Sequence, residues 1–174
     1  MDCENERFSA EERQTDGEEL PEMFFFDVDD VAEEAEFIRL DELLAREGEE
    51  THPLSGLVSF TFFPQKRDTY LSGRFSRLLR RTLILSAARM ELPLEKIRVR
   101  PLFVQCRVRI PDEGGIPEKL AREIRSDLEE QTKAVLALDE DDRFWSNHCF
   151  AAPADAEIND DEMIRLMENI LWKP

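Results

Sequence analysis

The chain contains one tyrosine, two histidines and three cysteines among 174 residues, and each scarcity narrows what it does. Cys3, Cys106 and Cys149 lie far apart with no CxxC pair. That argues against a disulfide scaffold and against a cysteine-based zinc site. A metal site needs three or four ligands at workable spacing. His52 stands alone, and His148 beside Cys149 points to opposite faces of one strand. No P-loop, GxGxxG or GxSxG motif occurs, and no cofactor is expected. The acid pairs at Asp29-Asp30 and from Asp139 to Asp142 read as solvated loop acids, because nothing orders them into a coordination shell. No apolar run approaches the roughly 18 residues of a membrane span. Met1-Asp2-Cys3-Glu4 is acidic where a signal peptide is basic and then apolar. With so few cysteines, a reducing, cytoplasmic home is expected.

What the chain does have is charge, unevenly spread. The formal net charge is −17, which by itself argues against nucleic acid. Residues 1–52 hold 20 acids and 4 bases, whereas residues 53–110 hold 3 acids and 12 bases. Residues 111–174 return to 17 acids and 7 bases. One average therefore hides an acidic tail, a basic middle and an acidic end.

The pattern along the chain predicts an acidic N-terminal extension over 1–52 and a folded domain over 53–174. Residues 1–20 carry too little apolar surface to offset the entropy of ordering, so disorder is expected there. Met23 to Phe26 form an apolar knot among acids. Ala35, Ile38, Leu40, Leu43 and Leu44 suggest an amphipathic docking helix over 31–46. In the domain, Leu57 to Phe63 reads as a strand stopped by Pro64. Leu71 to Met90 reads as a helix, with Phe75, Leu79, Thr82, Leu83, Ser86 and Met90 on one side and Arg74, Arg77, Arg80 and Arg81 on the other. Lys96–Arg100 and Phe103–Ile110 alternate and pair as a hairpin. Ile97, Val99, Val104, Cys106, Val108 and Ile110 share its apolar face, and Lys96, Arg98, Arg100, Phe103, Gln105, Arg107 and Arg109 share the opposite one. Ile116 to Ala137 reads as a long charged helix using Leu120, Ile124, Leu128 and Val135. Phe144 to Phe150 reads as a last strand. Asn159 caps a final helix whose apolar side is Met163, Ile164, Met167, Ile170 and Leu171. The order strand, helix, strand, strand, helix, strand, helix predicts an α+β ferredoxin-like sandwich, with helices on one face of an antiparallel sheet and a C-terminal helix added.

Five stretches in this order resemble the IS-200-like single-tyrosine HUH transposases, which include the repeat-associated tyrosine transposases. Phe60-Thr61-Phe62-Phe63-Pro64-Gln65-Lys66-Arg67 is similar to the family's first strand and its basic exit. Tyr70-Leu71-Ser72-Gly73 is similar to the start of its first helix. Arg100-Pro101-Leu102-Phe103-Val104-Gln105-Cys106-Arg107-Val108 falls where the family has Met-Pro-Asp-His-Val-His-Leu-Leu-Val. Phe144-Trp145-Ser146-Asn147-His148-Cys149-Phe150 resembles its Phe-Trp-Ser-Arg-Gly-Tyr-Phe, and Ile164-Arg165-Leu166-Met167-Glu168-Asn169 its Ile-Arg-Arg-Tyr-Ile-Glu-Asn. The resemblance spans about 117 residues, and it is the ordered set that makes it specific.

That resemblance implies a family chemistry in which two histidines hold a divalent cation on a scissile DNA phosphate and a tyrosine attacks it. The histidine positions here are Phe103 and Gln105, and the tyrosine position is Leu166. The only tyrosine, Tyr70, lies elsewhere. The expectation is a relative that does not cut or join DNA. It would bind single-stranded hairpin DNA through Arg74, Arg77, Arg80, Arg81, Lys96, Arg98, Arg100, Arg107 and Arg109, with Phe103 stacking a base on an open sheet face. The resemblance also implies a homodimer in which the last helix packs across subunits. A second expectation competes with nucleic-acid binding: the tail of residues 1–52 lies on the basic face, anchored by Phe24, Phe25 and Phe26, in a regulatory or protein-interaction module.

Overall fold

The computed structural model describes residues 36–45, 54–111, 116–156 and 158–172. The expected disorder over 1–20, the Met23–Phe26 knot and residues 48–53, which read from sequence as a linker, lie outside these. The described residues form five strands and four helices: β1 (Glu36–Arg39), α1 (Leu40–Leu44), β2 (Gly56–Phe62), α2 (Gly73–Arg89), β3 (Leu94–Val99), β4 (Val104–Ile110), α3 (Pro117–Leu136), β5 (His148–Pro153) and α4 (Asp160–Ile170). The sheet order is β1-β5-β2-β4-β3. From β2 to β5 the pairing is antiparallel, as the ferredoxin-like expectation requires, and β1 is added parallel to β5 at the edge.

The strands read as they do because their apolar residues have a period of two and helices cover both faces. On the first face, Val58, Phe60 and Phe62 of β2 and Val104, Cys106, Val108 and Ile110 of β4 meet Leu79 and Leu83 of α2 and Ala121, Ile124 and Leu128 of α3. On the second face, Phe63, Phe103 and Phe150 meet Leu40 and the α4 residues Met163 and Met167. Val135, expected in the core, is 57% exposed. The buried stripe of α3 runs through Ala121, Ile124, Leu128 and Thr132, and its last turn is exposed at Val135 and Leu136.

Two expectations change, and the last helix finds its cover within the chain. The docking helix proposed over 31–46 is a strand at Glu36–Arg39 followed by the short α1, with 31–35 and 46 outside the described residues. The last strand starts later and runs further, at His148–Pro153. Residues 144–147 precede it, with Trp145 bridged to Pro64. The apolar side of α4 packs on its own sheet: Met163 and Met167 are buried and the Trp172 indole N–H donates to Pro64 O at 3.4 Å. That apolar side is therefore covered within the chain.

Asn159 forms the predicted cap as a full capping box. Its side chain accepts from Glu162 N at 2.9 Å, and Glu162 accepts from Asn159 N at 3.3 Å. Asn159→Ala should cost about 1 kcal/mol. Urea denaturation checks this, and an unchanged midpoint would mean that α4 is held by Met163 and Met167 alone.

Candidate nucleic-acid interface

The nine predicted cations do not form one surface. Arg74, Arg77, Arg80 and Arg81 lie on the outer side of α2, which covers the first face of the sheet. Lys96, Arg98, Arg107 and Arg109 belong to the second face, because they alternate with residues of the first. Arg100 follows β3 and reaches the α4 side of the sheet, pairing with Asp160. α2 packs against β3 at the sheet edge, where Arg80 Nη1 donates to Ile97 O at 3.3 Å. The two basic regions thus flank the β3 edge. Arg74, Arg77 and Arg81 are exposed and have no ion-pair partner among the described residues. They form a free row on α2, and the next turn carries exposed Ile84 and Leu85.

The second face is arranged in cross-strand rows. Arg98, Gln105 and Thr61 are register partners across β3, β4 and β2. Arg98 Nη1 donates to Gln105 Oε1 at 3.2 Å, and Gln105 Nε2 donates to Thr61 Oγ1 at 3.1 Å. Arg98 also donates to Asp160, at the start of α4, and Arg100 Nε lies 3.0 Å from the same carboxylate. Arg109 pairs with Glu95 at 2.5 Å. Most of the expected sheet cations are therefore already engaged.

Phe103 is not on an open face. It is 1% exposed, with its ring centroid 5.6 Å from that of Phe63 and with Met163 and Met167 in the same cluster. A base cannot stack there without displacing α4, and the expectation of a stacking platform is withdrawn. The residues in the family's metal positions do not fit a divalent cation. Phe103 offers no ligand atom, the Gln105 amide is bonded at both ends, and the neighbouring groups are guanidiniums. Leu166 is a half-buried member of the apolar cluster under α4. Among the described residues, no three His, Cys, Asp or Glu side chains are placed to hold a metal ion. His148 sits with its Nδ1 3.1 Å from Glu36 on the adjoining parallel strand.

Cys106 and Cys149 are equally poor reagents. Burial pushes the Cys106 thiol up to about 12. Burial also raises Cys149, to about 11, against the opposing pull of Arg125 and Arg122. Arg125 is itself 4% exposed, and burial lowers its pKa. Its Nε donates to Ser146 O at 2.6 Å and its Nη2 to Asn147 Oδ1 at 3.2 Å, fixing the segment ahead of β5. Sequence reasoning overlooked this buried arginine, since an arginine within a charged helix carries no local mark of burial.

No protein-family model matches the sequence, and no curated protein matches it. Solved structures do. A crystal structure named "putative transposase from Deinococcus radiodurans R1" superposes with a TM-score of 0.51 at 12% identity, covering 72% of this chain and 95% of that one. A repeat-associated (REP) tyrosine transposase bound to a REP hairpin gives a TM-score of 0.46 at 16% identity, covering 74% of this chain and 71% of that one. At such identities the likeness is one of fold, and the chain has the transposase-like α+β fold of the Deinococcus protein. Among the described residues, no helix is long and apolar enough to cross a membrane.

Proposed function

We propose that the chain binds single-stranded or hairpin nucleic acid without cleaving it. The observation that carries the non-cleaving half of this reading is the state of the positions matched to the family's catalytic residues: Phe103 is buried, Gln105 is locked to Arg98 and Thr61, and Leu166, on α4, is a half-buried side chain packed against the second apolar cluster. Without a metal ligand set or a nucleophile there, phosphoryl transfer by the family's route has no means. The fold and the free Arg74, Arg77 and Arg81 support retained binding.

Three phosphate contacts to a single strand give a slope of log K on log salt near −2, about −0.7 for each contact. Arg77→Ala should make that slope shallower by about 0.7, and fluorescence anisotropy with a labelled hairpin across a salt series measures it. Absence of binding by the full chain and by residues 36–174 at low salt would end the nucleic-acid reading. Metal-dependent nicking would end the non-cleaving half of it.

A second reading, a tail that covers the basic surface, rests on charge. Residues 1–35 hold 14 acids and 2 bases, so the charges are complementary. The truncation that tests it must stop at 35 and not at 52, because β1 and buried Leu40 belong to the fold. Tighter binding by residues 36–174 than by the full chain favours a covering tail, and equal binding removes it.

A further inference from the structure

Beside the locked row of Arg98, Gln105 and Thr61 runs a second row on the same face, formed by Lys96, Arg107 and Ser59 across β3, β4 and β2. This row has no acid. Asp160 is held by Arg98 and Arg100, and Glu95 by Arg109. Lys96 is exposed, and neither it nor Arg107 has an ion-pair partner among the described residues. The Nε of Arg107 is buried with no hydrogen-bond partner among the described residues. A buried guanidinium N–H left unpaired is costly. Arg107 and Ser59 both line a cleft of about 20 Å³ between the sheet and the turn leading to α4. That is room for one water-sized atom.

We infer that Lys96, Arg107 and Ser59 form a seat for one oxyanion of the phosphate class. One oxygen enters the cleft and accepts from Arg107 Nε–H, the Ser59 hydroxyl faces it from the neighbouring strand, and the Lys96 ammonium meets the remaining charge at the mouth. Charge-assisted bonds of this kind are the strong ones. The seat belongs to this chain in particular, since Arg107 occupies a position where the resembled motif has leucine. It stands on these residues and not on the nucleic-acid reading. Free phosphate and a backbone phosphate share the chemistry.

The test uses the full chain. Inorganic phosphate should raise the thermal unfolding midpoint saturably, where chloride at matched ionic strength does not. Arg107→Met should weaken the apparent phosphate affinity about tenfold or more. A variant that fails to fold leaves the wild-type measurement intact: the Arg107 Nε–H resonance should shift as phosphate is added. A resonance that stays in place, or an equal midpoint rise in Arg107→Met, overturns the seat. An abasic single-stranded oligonucleotide that displaces phosphate identifies backbone phosphate as a ligand. One that binds without displacing it makes free phosphate the ligand and puts the nucleic-acid surface elsewhere. Phosphate binding with no oligonucleotide binding keeps the seat and removes the nucleic-acid reading.

Discussion

Trp145→Ala should lower the unfolding free energy by about 4 kcal/mol, the largest loss expected from any single side chain. Trp145 is the bulkiest fully buried residue, at 0% exposure. It lies where the segment ahead of β5 crosses the end of β2, bridged to Pro64. Its ring meets Phe144 at 5.2 Å, and its indole N–H donates to Thr132 Oγ1 at 3.1 Å. Glu129 accepts from the backbone N–H groups of both Phe144 and Trp145 at 2.9 Å. Truncation therefore opens a cavity and also strips the Thr132 hydroxyl of its donor. Trp145→Phe separates the two losses, because it refills most of the volume and restores no hydrogen bond. It should cost about 1 to 2 kcal/mol. For a chain of this size the alanine variant should melt about 8 to 16 °C lower. Equal losses from the two variants would show that the hydrogen bond to Thr132, and not the packing, holds this corner.

The elements that were legible in the sequence are those whose partners impose a simple period. α2 shows its buried side through Leu79, Thr82, Leu83 and Ser86. β4 shows its own through Val104, Cys106, Val108 and Ile110. Both follow from an amphipathic surface meeting one flat partner. β1 was not legible. Ile38, Leu40, Leu43 and Leu44 fit a helical wheel locally, but the parallel pairing of Phe37 with Cys149 and of Ile38 with Phe150 decides the matter from the far end of the chain. Phe103 misled for a related reason. Alternation placed it correctly on the second face, beside Gln105 and away from Val104. Alternation does not reveal that α4 closes over that end of the face while leaving Lys96 exposed. The basic surface divided in the same way. A count of cations along the chain cannot tell the outer side of α2 from the opposite face of the sheet, because the sheet lies between them.

Phe103→His tests whether the lost metal position is merely mutated or physically closed, and the expected result is a loss of about 3 kcal/mol with no gain of metal binding. Phe103 is packed among Phe63, Leu40, Met163 and Met167, none of which can accept or donate a hydrogen bond to an imidazole through a side-chain nitrogen or oxygen. The ring loses apolar contact and brings in two polar nitrogens. The fold should hold that histidine neutral, with its pKa below the unfolded value of about 6.5. The unfolded chain then binds more protons than the native one, so the variant loses further stability as pH falls below about 6.5, whereas at pH 8 only the packing loss remains. Urea denaturation of the variant and the wild type at pH 8 and pH 5.5 gives the difference. Adding Gln105→His should not reverse it, because that exchange also breaks the chain of bonds from Arg98 to Thr61 and leaves Arg98 beside the new imidazoles. A guanidinium there opposes a divalent cation by charge. If Mn²⁺ raised the melting midpoint of the double variant above that of the metal-free variant, the pocket would still be a cation site in outline. The closure by α4 would then be a consequence of losing the histidines and not a barrier to restoring them.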